Sequence, residues 1–270
     1  MKKYFVMSLV ALVAMTMTSC MHVRIGDKDW SITDLAKGHT NNTPTQVHQV
    51  GTETAMTPFE ELSVAGPFNV FFEQGEGNTV RVDGTAEQLE KITIYVKEGE
   101  LFIDQRKNEP SGTFDGMRIF VTAPRIDGID IAGSGTVTAP KALTVNDLNL
   151  DIAGSGDITI AQLTCKDLDI DIAGSGDVTI GMIQANKVDN EIAGSGSIDI
   201  AGLTCKNVYN DIAGSGDITL NNLNVDEVKT DIAGSGDVIL RGTARHYEED
   251  IAGSGKVDVS GLKTANNSIQ

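Results

Sequence analysis

Apolar and polar residues alternate with a period of two through most of the chain after residue 125. In one stretch Leu168, Ile170 and Ile172 alternate with aspartates, and a second alternating run follows at residues 177–180. This alternation is typical of a β-strand with one packed face and one exposed face. Between the runs lies Ala-Gly-Ser-Gly, which favours a sharp reversal because glycine readily adopts positive φ angles. Each unit is therefore predicted to be a strand, a tight corner, a second strand and a looser corner near residues 162–166.

The tight corner belongs to a pentapeptide, Ile-Ala-Gly-Ser-Gly, that occurs seven times. The copies begin at Ile131, Ile152, Ile172, Ile192, Ile212, Ile232 and Ile251, with spacings of 21, 20, 20, 20, 20 and 19 residues. A fixed period near 20 is typical of a solenoid, in which each repeat stacks on its neighbours. We therefore predict an all-β fold, a thin right-handed parallel β-helix of two sheets. Its coils would have about 20 residues, Gly-Ser-Gly corners and a rise of ~4.8 Å each.

The first 56 residues lack this pattern and indicate an address followed by a spacer. Lys2 and Lys3 precede an apolar run from Phe5 to Met15, which is shorter than a membrane-spanning helix needs. The run leads to Met-Thr-Ser-Cys, which resembles a bacterial lipoprotein leader that is cleaved before Cys20 and lipidated on that cysteine. An ordinary cleaved signal peptide is the alternative. We predict a leader at residues 1–19 and a flexible polar tether at residues 20–56.

Residues 57–270 are predicted to form one β-helical domain. Residues 57–125 carry the alternation less regularly and include one short helical segment at residues 86–90, so irregular coils are expected there. Residues 126–270 contain the regular repeats. Tyr247 and Glu249 stand where aliphatic residues are expected, as is typical of a terminal repeat.

The chain is acidic, with a net charge of −17, which argues against nucleic acid or an anionic membrane surface as a partner. Acidic residues directly precede the motif isoleucines (Asp130, Asp151, Asp171, Glu191, Asp211, Asp231 and Asp250), and others follow the corner (Asp157, Asp177, Asp217 and Asp237). All face outward if the isoleucines face inward. Their carboxylates would then lie ~5 Å apart and repel one another unless cations bridge them.

Asp151, Asp171, Asp211 and Asp231 are therefore the candidate metal ligands. The alternative is a solvated face that resists aggregation. The Gly-Gly-x-Gly-x-Asp nonapeptide of calcium-binding β-rolls does not match Ala-Gly-Ser-Gly-Asp at a period of 20, which favours this alternative.

The sequence gives no clear signal for a catalytic centre or a cofactor. The corner serine occurs in seven equivalent copies without a Gly-x-Ser-x-Gly elbow, and three of the four histidines precede residue 57. Cys165 and Cys205 occupy equivalent places two coils apart, roughly twice 4.8 Å, which is beyond the reach of a disulfide. We interpret them as small buried residues.

Several segments together resemble one known family. They are Glu-Leu-Ser-Val at 61–64, Phe-Asn-Val at 68–70, Gly-Glu-Gly-Asn-Thr-Val at 75–80, Gly-Glu-Leu-Phe-Ile at 99–103, Val-Thr-Ala-Pro at 121–124 and the Gly-Ser-Gly repeats. Over about residues 57–265 the chain resembles the autotransporter-adhesin head domain, also called the head GIN domain. The resemblance implies a right-handed β-helix shaped like the pectin lyases without their catalytic residues. With the leader, it implies a Bacteroidetes cell-envelope protein.

We therefore expect a non-enzymatic lipoprotein of the cell envelope that presents a rigid β-helical surface for adhesion or binding. Its partners would be the membrane, through lipid on Cys20, and an unidentified protein or glycan; a homo-oligomer is left open. An outer-membrane location is expected, on either the surface or the periplasmic side. Two alternatives stay open: a protein that binds or processes polysaccharide, and a structural protein that faces the periplasm. A groove lined by aromatic residues would favour the first, and the repeats offer only Tyr209 and Tyr247.

Overall fold

The structure, a computed structural model, describes residues 22–25, 28–31, 47, 49–106 and 114–265. The chain divides into two compact units, Met1–Thr43 and Pro44–Gln270. In the first unit β1 (His22–Ile25) and β2 (Lys28–Ser31) pair antiparallel. Both strands lie within residues 20–56, for which a flexible polar tether was predicted. The leader and Cys20 lie outside the described residues.

The second unit is nearly all strand. Its described residues contain one helix, α1 (Ala86–Leu89), and eighteen strands. In chain order these are β3 (Thr54–Ala55), β4 (Glu61–Ala65), β5 (Asn69–Gln74), β6 (Thr79–Asp83), β7 (Ile92–Lys97), β8 (Glu100–Gln105), β9 (Arg118–Ala123), β10 (Gly128–Gly133), β11 (Thr136–Thr144), β12 (Asp147–Gly154), β13 (Asp157–Thr164), β14 (Asp167–Gly174), β15 (Asp177–Gln184), β16 (Lys187–Gly194), β17 (Ser197–Gly214), β18 (Asp217–Gly234), β19 (Asp237–Gly253) and β20 (Lys256–Thr264).

The repeats stack in parallel and in register. Ile152 is the register partner of Ile172, and Ile172 is the partner of Ile192. The same register continues to the last copy of the motif. This pairing confirms a parallel β-solenoid whose turns have about 20 residues. Its right-handedness stays a prediction, which rests on the usual hand of parallel crossovers.

The inward columns form a continuous aliphatic core. Each of the first six motif isoleucines exposes at most 2% of its surface, and Val178, Ile198, Ile218 and Val238 expose none. Aliphatic side chains suit this position because parallel strands buried on one face bring β-branched neighbours into close contact. Burying one such side chain stabilises the fold by roughly 1.5–3 kcal/mol.

The two corner glycines are required for different reasons. Gly194 has φ +144°, a region that residues with a side chain rarely adopt, and a Cβ atom there would lie 2.1 Å from the carbonyl oxygen of Gly174. At Gly196 a Cβ atom would lie 2.3 Å from the carbonyl oxygen of Gly176. The turns approach so closely because Ser195 N donates to Gly174 O at 2.8 Å. The Gly-Ser-Gly sequence is therefore dictated by the stacking of the corners.

The second half of each turn bends once more than predicted. Ile160 and Leu163 are both buried, whereas Ala161 and Gln162 between them are exposed. The pairing of β13 with β15 skips residue 161 at this point. The predicted second sheet is therefore divided into two short sides, because two consecutive outward residues must lie at a bend.

The N-terminal end of the solenoid is irregular but covered. Val47, Met56 and Phe59 are buried in the same core, so the folded unit begins before the predicted boundary at residue 57. Two strands reverse direction there: β6 pairs antiparallel with β9, and β7 with β8. Among the described residues, no helix has the length and apolar character needed to cross a membrane.

Candidate functional site on the outward face

One outward column of side chains runs along all the repeats. Its members are successive register partners: Asp130, Asp151, Asp171, Glu191, Asp211, Asp231 and Asp250. We call this set the acidic column. Its side chains point away from the core because their neighbours along the strand, such as Ile170 and Ile172 beside Asp171, are buried.

The acidic column leads into two aromatic rings at the N-terminal end of the solenoid. Asp130 is the register partner of Ser63, Ser63 of Phe102, and Phe102 of Tyr95. The Tyr95 and Phe102 rings stack with their centroids 5.0 Å apart and their planes 12° apart. Both residues are half-buried, so part of the aromatic surface meets solvent. Carboxylates and aromatic rings therefore share one column.

The Tyr95 ring is held in place by its hydroxyl group, which donates a hydrogen bond to Oδ2 of Asp104 at 3.2 Å. Burial raises the pKa of the Asp104 carboxyl, and the bond from Tyr95 partly opposes that rise. Burial and the Asp104 carboxylate in turn raise the pKa of the Tyr95 hydroxyl, which therefore remains a hydrogen-bond donor at neutral pH. The aromatic end of the column is thus a fixed surface.

A second outward column lies three residues before each motif isoleucine. It contains Asn149, Asp169, Asp189, Tyr209, Lys229 and Glu248. Lys187 donates a hydrogen bond to Asp189, and Lys229 donates one to Asp231, so these two ammonium groups offset part of the negative charge. The ammonium nitrogen of Lys187 also lies 5.5 Å from the centre of the Tyr209 ring. This cation–π contact helps to fix a third aromatic ring beside the acidic column.

Carboxylate crowding is strongest around Asp171. Burial raises the pKa of Asp171 to about 7, and the carboxylates of Asp151 and Glu191 add to the rise. Burial and the carboxylate of Asp231 raise the pKa of Asp211 to about 6; the side chain of Asp211 is more exposed than that of Asp171. A carboxyl group that is partly protonated near neutral pH both donates and accepts hydrogen bonds. Such perturbed groups are more frequent at binding sites than on ordinary surface.

The four candidate metal ligands do not form one cluster. Asp151 is the register partner of Asp171, and Asp211 of Asp231, but Glu191 separates the two pairs. Asp231 also accepts the hydrogen bond from Lys229 noted above. Within the described residues, no three His, Cys, Asp or Glu side chains are arranged to hold a metal ion. The four aspartates are therefore spread along the column and do not surround one point, as the ligands of a metal ion would.

The aspartates that follow the corner have a structural role that was not predicted. Ser197 donates hydrogen bonds from N and Oγ to Oδ1 of Asp177, at 3.0 and 2.6 Å. Two turns on, Asp237 N donates to Oδ1 of Asp217 at 2.9 Å. These carboxylates accept hydrogen bonds from the backbone of the next turn, so they belong to the corner and lie apart from the acidic column.

Two more aromatic rings lie on the side of the solenoid that follows the corner. Phe71 and Phe120 stack with centroids 5.3 Å apart, and the Arg81 guanidinium lies 4.4 Å from the centre of the Phe120 ring. Phe71 is the register partner of Thr138, which begins a mainly polar outward column. The Phe71–Phe120 pair therefore resembles the Tyr95–Phe102 pair, but it does not adjoin the acidic column.

Four described side chains of types common in catalytic sites are His246, Ser195, Cys165 and Cys205. The ring of His246 is hydrogen-bonded to Glu248 at 2.9 Å, and Ser195 is an exposed corner residue. Cys165 and Cys205 are free thiols; Cys205 is buried, as predicted, and Cys165 is half-buried. Burial raises the pKa of each thiol to about 12, so both are protonated and poorly nucleophilic at neutral pH.

The parallel solenoid, the Gly-Ser-Gly corners and the outward columns define an elongated β-solenoid domain with regularly spaced surface side chains. The sequence profile of the family described as "Putative auto-transporter adhesin, head GIN domain" matches residues 58–224 and 210–270. The chain therefore belongs to this family, as the resemblance implied. No protein with a curated description matches the chain.

Solved structures share the fold. A protein described as a putative adhesin from Bacteroides fragilis has 24% identity and a TM-score of 0.71. A putative adhesin and a putative lipid-binding protein, both from Parabacteroides distasonis, have 20% and 19% identity with TM-scores of 0.65 and 0.61. Each match covers 76% of this chain and 94% of the other. At this level of identity the likeness shows the fold.

The aromatic rings were missed because only the repeats were considered as a place for aromatic residues. The signal lies in the alternation. Tyr95 stands between the apolar Ile94 and Val96, and Phe102 stands between the buried Leu101 and Ile103. A side chain between two inward neighbours faces outward, so the sequence already places these rings on the surface.

Proposed function

We propose that this chain is a non-enzymatic lipoprotein, anchored in the outer membrane through Cys20, that uses the acidic column and the Tyr95–Phe102 pair as an adhesive face. The family description supports adhesion, and the leader sequence supports the anchor. One observation carries the assignment to this face: stacked, partly exposed rings continue a column of seven acidic side chains. Aromatic residues are enriched at the centres of interfaces because they bury a large area with few rotatable bonds.

The solenoid suits this role because the face is pre-organised. In the middle turns each outward residue is held by strands paired on both sides, as in the pairing of Asp171 with Asp151 and Glu191. A partner therefore orders few side chains of this protein when it binds, which reduces the entropic cost of association. The columns also repeat the same chemistry at the inter-strand spacing, ~4.8 Å. A long or repetitive partner can engage several rungs at once.

A glycan is the ligand class that this face favours. Aromatic rings stack against the apolar face of a sugar ring, and carboxyl groups pair with its hydroxyls. The partly protonated Asp171 supports this choice, because such a group matches the donor and acceptor character of a hydroxyl. A protein ligand is the alternative, and a purely structural role on the periplasmic side is the third hypothesis.

Localisation and binding test the proposal together. Cys20→Ala should move the protein from the membrane fraction to the soluble fraction, and protease added to intact cells should degrade the wild-type protein. Equal membrane retention of the variant would contradict the lipid anchor, and full protection from protease would favour the periplasmic role.

Binding of the purified chain to an array of glycans and extracellular proteins identifies the ligand class. No binding to any of them would oppose the adhesive role.

A further inference from the structure

A groove opens at the N-terminal end of the solenoid, beside strand β7. Its volume is about 520 Å³, which lies within the usual range of ligand sites. Its lining includes Val47, Ile92 and Ile94, which expose 7%, 2% and 3% of their surface, and Leu89 at the end of α1. The groove therefore has an apolar floor that is continuous with the core of the solenoid.

The edge of β7 along this groove has unpaired backbone groups. In an antiparallel pair such as β7 with β8, successive residues direct their N–H and C=O groups alternately to the partner strand and to the opposite edge. Arg106 N donates to Lys91 O at 2.9 Å, so the odd-numbered residues of β7 face β8. Ile92 and Ile94 therefore direct their backbone groups to the other edge, with which no described strand pairs. Both residues line the groove, so a free edge borders it.

The side chain of Arg106 occupies the first position along this edge. Its Nε donates a hydrogen bond to Ile92 O at 3.2 Å, as the backbone N–H of one more strand would. Arg106 also lines the groove, and its two terminal amino groups have no hydrogen-bond or ion-pair partner among the described residues. Glu90, the acidic residue of the described lining, makes no ion pair with it. The groove thus has free guanidinium donors at its Ile92 end and free backbone groups at Ile94.

We propose that this groove binds the carboxyl-terminal segment of a partner polypeptide as an added β-strand. The terminal carboxylate accepts hydrogen bonds from the amino groups of Arg106, because a guanidinium group and a carboxylate match in charge and in planar geometry. A residue close to the end pairs its backbone groups with those of Ile94, as in other cases of strand addition. Since the carboxylate lies at the Ile92 end, the bound segment runs antiparallel to β7. An apolar side chain of the segment covers the floor.

The combination of these features favours the end of a polypeptide over other ligands. A fatty acid has a carboxylate and an apolar tail, but it has no backbone groups to pair with Ile94. A glycan forms hydrogen bonds but lacks an apolar side chain for the floor. An internal strand of a protein pairs with the edge but brings no carboxylate to Arg106. This inference does not depend on the proposed adhesive function.

Fluorescence anisotropy with synthetic peptides tests the proposal on the full chain carrying Cys20→Ala, so that no lipid is attached. The probes are hexapeptides with a fluorescent label at the amino end, a free carboxyl end and varied residues at the last four positions. We expect peptides with an apolar residue near the end to bind. Replacing the carboxyl end by an amide should weaken binding at least about tenfold, because it removes the charge-assisted hydrogen bonds to Arg106.

Two arginine variants show whether Arg106 is the group that recognises the carboxylate. Arg106→Gln should bind the free and the amidated peptide equally weakly. Arg118→Gln, which changes another exposed arginine, is the matched control and should bind like the parent chain. Thermal unfolding of both variants checks that the fold is intact. A tenfold preference for the free peptide that persists in Arg106→Gln would overturn the proposal.

Methylation of the peptide backbone tests the added strand. A methyl group on one peptide nitrogen removes one N–H donor, and in an added strand only every second N–H faces β7. We therefore expect binding to weaken strongly at alternate positions and little at the positions between them. The same effect at every position would contradict strand addition.

Three further results would overturn the proposal. The first is the absence of binding by every peptide. The second is binding of decanoate as tight as that of the best peptide, which would assign the groove to an amphiphile. The third concerns a chain in which residues 107–113 are replaced by glycine and serine: peptide binding that appears only in that chain would assign the groove to this segment of the protein itself.

Discussion

Asn190 donates a hydrogen bond from Nδ2 to Oδ1 of Asn210 at 2.8 Å inside the aliphatic core. Asn210 continues the chain by donating from Nδ2 to Oγ1 of Thr230 at 3.1 Å. The three residues expose 2%, 1% and 0% of their surface, and they follow Ile170 in the same inward column. The column therefore changes from apolar to hydrogen-bonded side chains halfway along the solenoid.

Removing the middle of this buried chain should be costly. Asn210→Leu leaves the amide of Asn190 and the hydroxyl of Thr230 without these partners, and an unsatisfied buried group costs about 1–3 kcal/mol. The triple variant Asn190→Leu, Asn210→Leu, Thr230→Val restores the apolar column of the earlier turns and should be nearly neutral. Denaturant unfolding measures both variants. If the triple variant has a lower free energy of unfolding than Asn210→Leu, the polar side chains stabilise the fold by more than the hydrogen bonds they make with one another.

Adjacent corner residues should respond very differently to alanine. Gly196→Ala places a Cβ atom 2.3 Å from the carbonyl oxygen of Gly176, so the turns must separate, and we expect a loss of at least about 2 kcal/mol. Ser195→Ala, one residue away and exposed, should cost less than about 0.5 kcal/mol. Denaturant unfolding measures both variants. Each serves as the control for the other, because both introduce alanine at neighbouring positions of the same corner. Equal losses would contradict the corner stacking.

The carboxyl of Asp171 should make the fold less stable as the pH rises. Burial, with the charges of Asp151 and Glu191, raises its pKa from 3.8 to about 7 on folding. Between about pH 4 and 7 the folded chain therefore holds more protons than the unfolded chain. Its stabilising contribution is complete below that window and is lost as the pH rises through it.

Asp171→Asn should remove this dependence and raise the Tm at pH 8 by about 2–4 °C, which corresponds to about 1 kcal/mol. Thermal unfolding of the variant and the wild type at pH 5 and pH 8 measures the difference. Asp199→Asn, an exposed aspartate outside the acidic column, is the matched control and should follow the wild type. If the Tm of Asp171→Asn changes between pH 5 and pH 8 as much as that of the wild type, the crowding of carboxylates around Asp171 is disproved.

Calcium should have little effect on stability. Glu191 separates the candidate ligands Asp151 and Asp171 from Asp211 and Asp231, so no compact ligand set forms. We expect millimolar calcium to leave the Tm of the wild type unchanged, and that of the variant with all four aspartates replaced by asparagine as well. A ligand that binds the folded state raises the Tm by mass action. A rise of several degrees in the wild type that is absent in the variant would therefore establish a cation site.

The periodic part of the fold could be predicted from the sequence because each stacked column repeats one residue type at a fixed offset. Ile152, Ile172 and Ile192 fix the register of three turns at once, and the corner glycines mark every reversal. The extra bend at residues 161–162 was missed because it arises where the pairing of β13 with β15 passes over residue 161. The alternation of a single repeat does not reveal such a skip.

The candidate site was only half predictable for a related reason. The acidic column lies within the repeats, so its register followed from the spacing. Phe102 and Tyr95 join that column through β4 and an antiparallel pair of strands, and no repeat encodes that connection. The buried position of Asn190 was also readable in principle, since it has the same offset as Ile170, but a polar residue there conflicts with the expected core.

The binding face is tested most directly by comparing two aromatic rings at equivalent places on different sides of the solenoid. Phe102→Ser gives its column the residue found at Ser63 in the next rung, and Phe71→Thr gives the other column the residue found at Thr138. The measurement is the binding of each purified variant to the array of glycans and extracellular proteins. We expect Phe102→Ser to lose at least about tenfold in affinity, as for a residue at the centre of an interface, and Phe71→Thr to bind like the wild type. Undiminished binding by Phe102→Ser, or an equal loss in Phe71→Thr, would contradict the assignment of adhesion to the acidic column and its aromatic end.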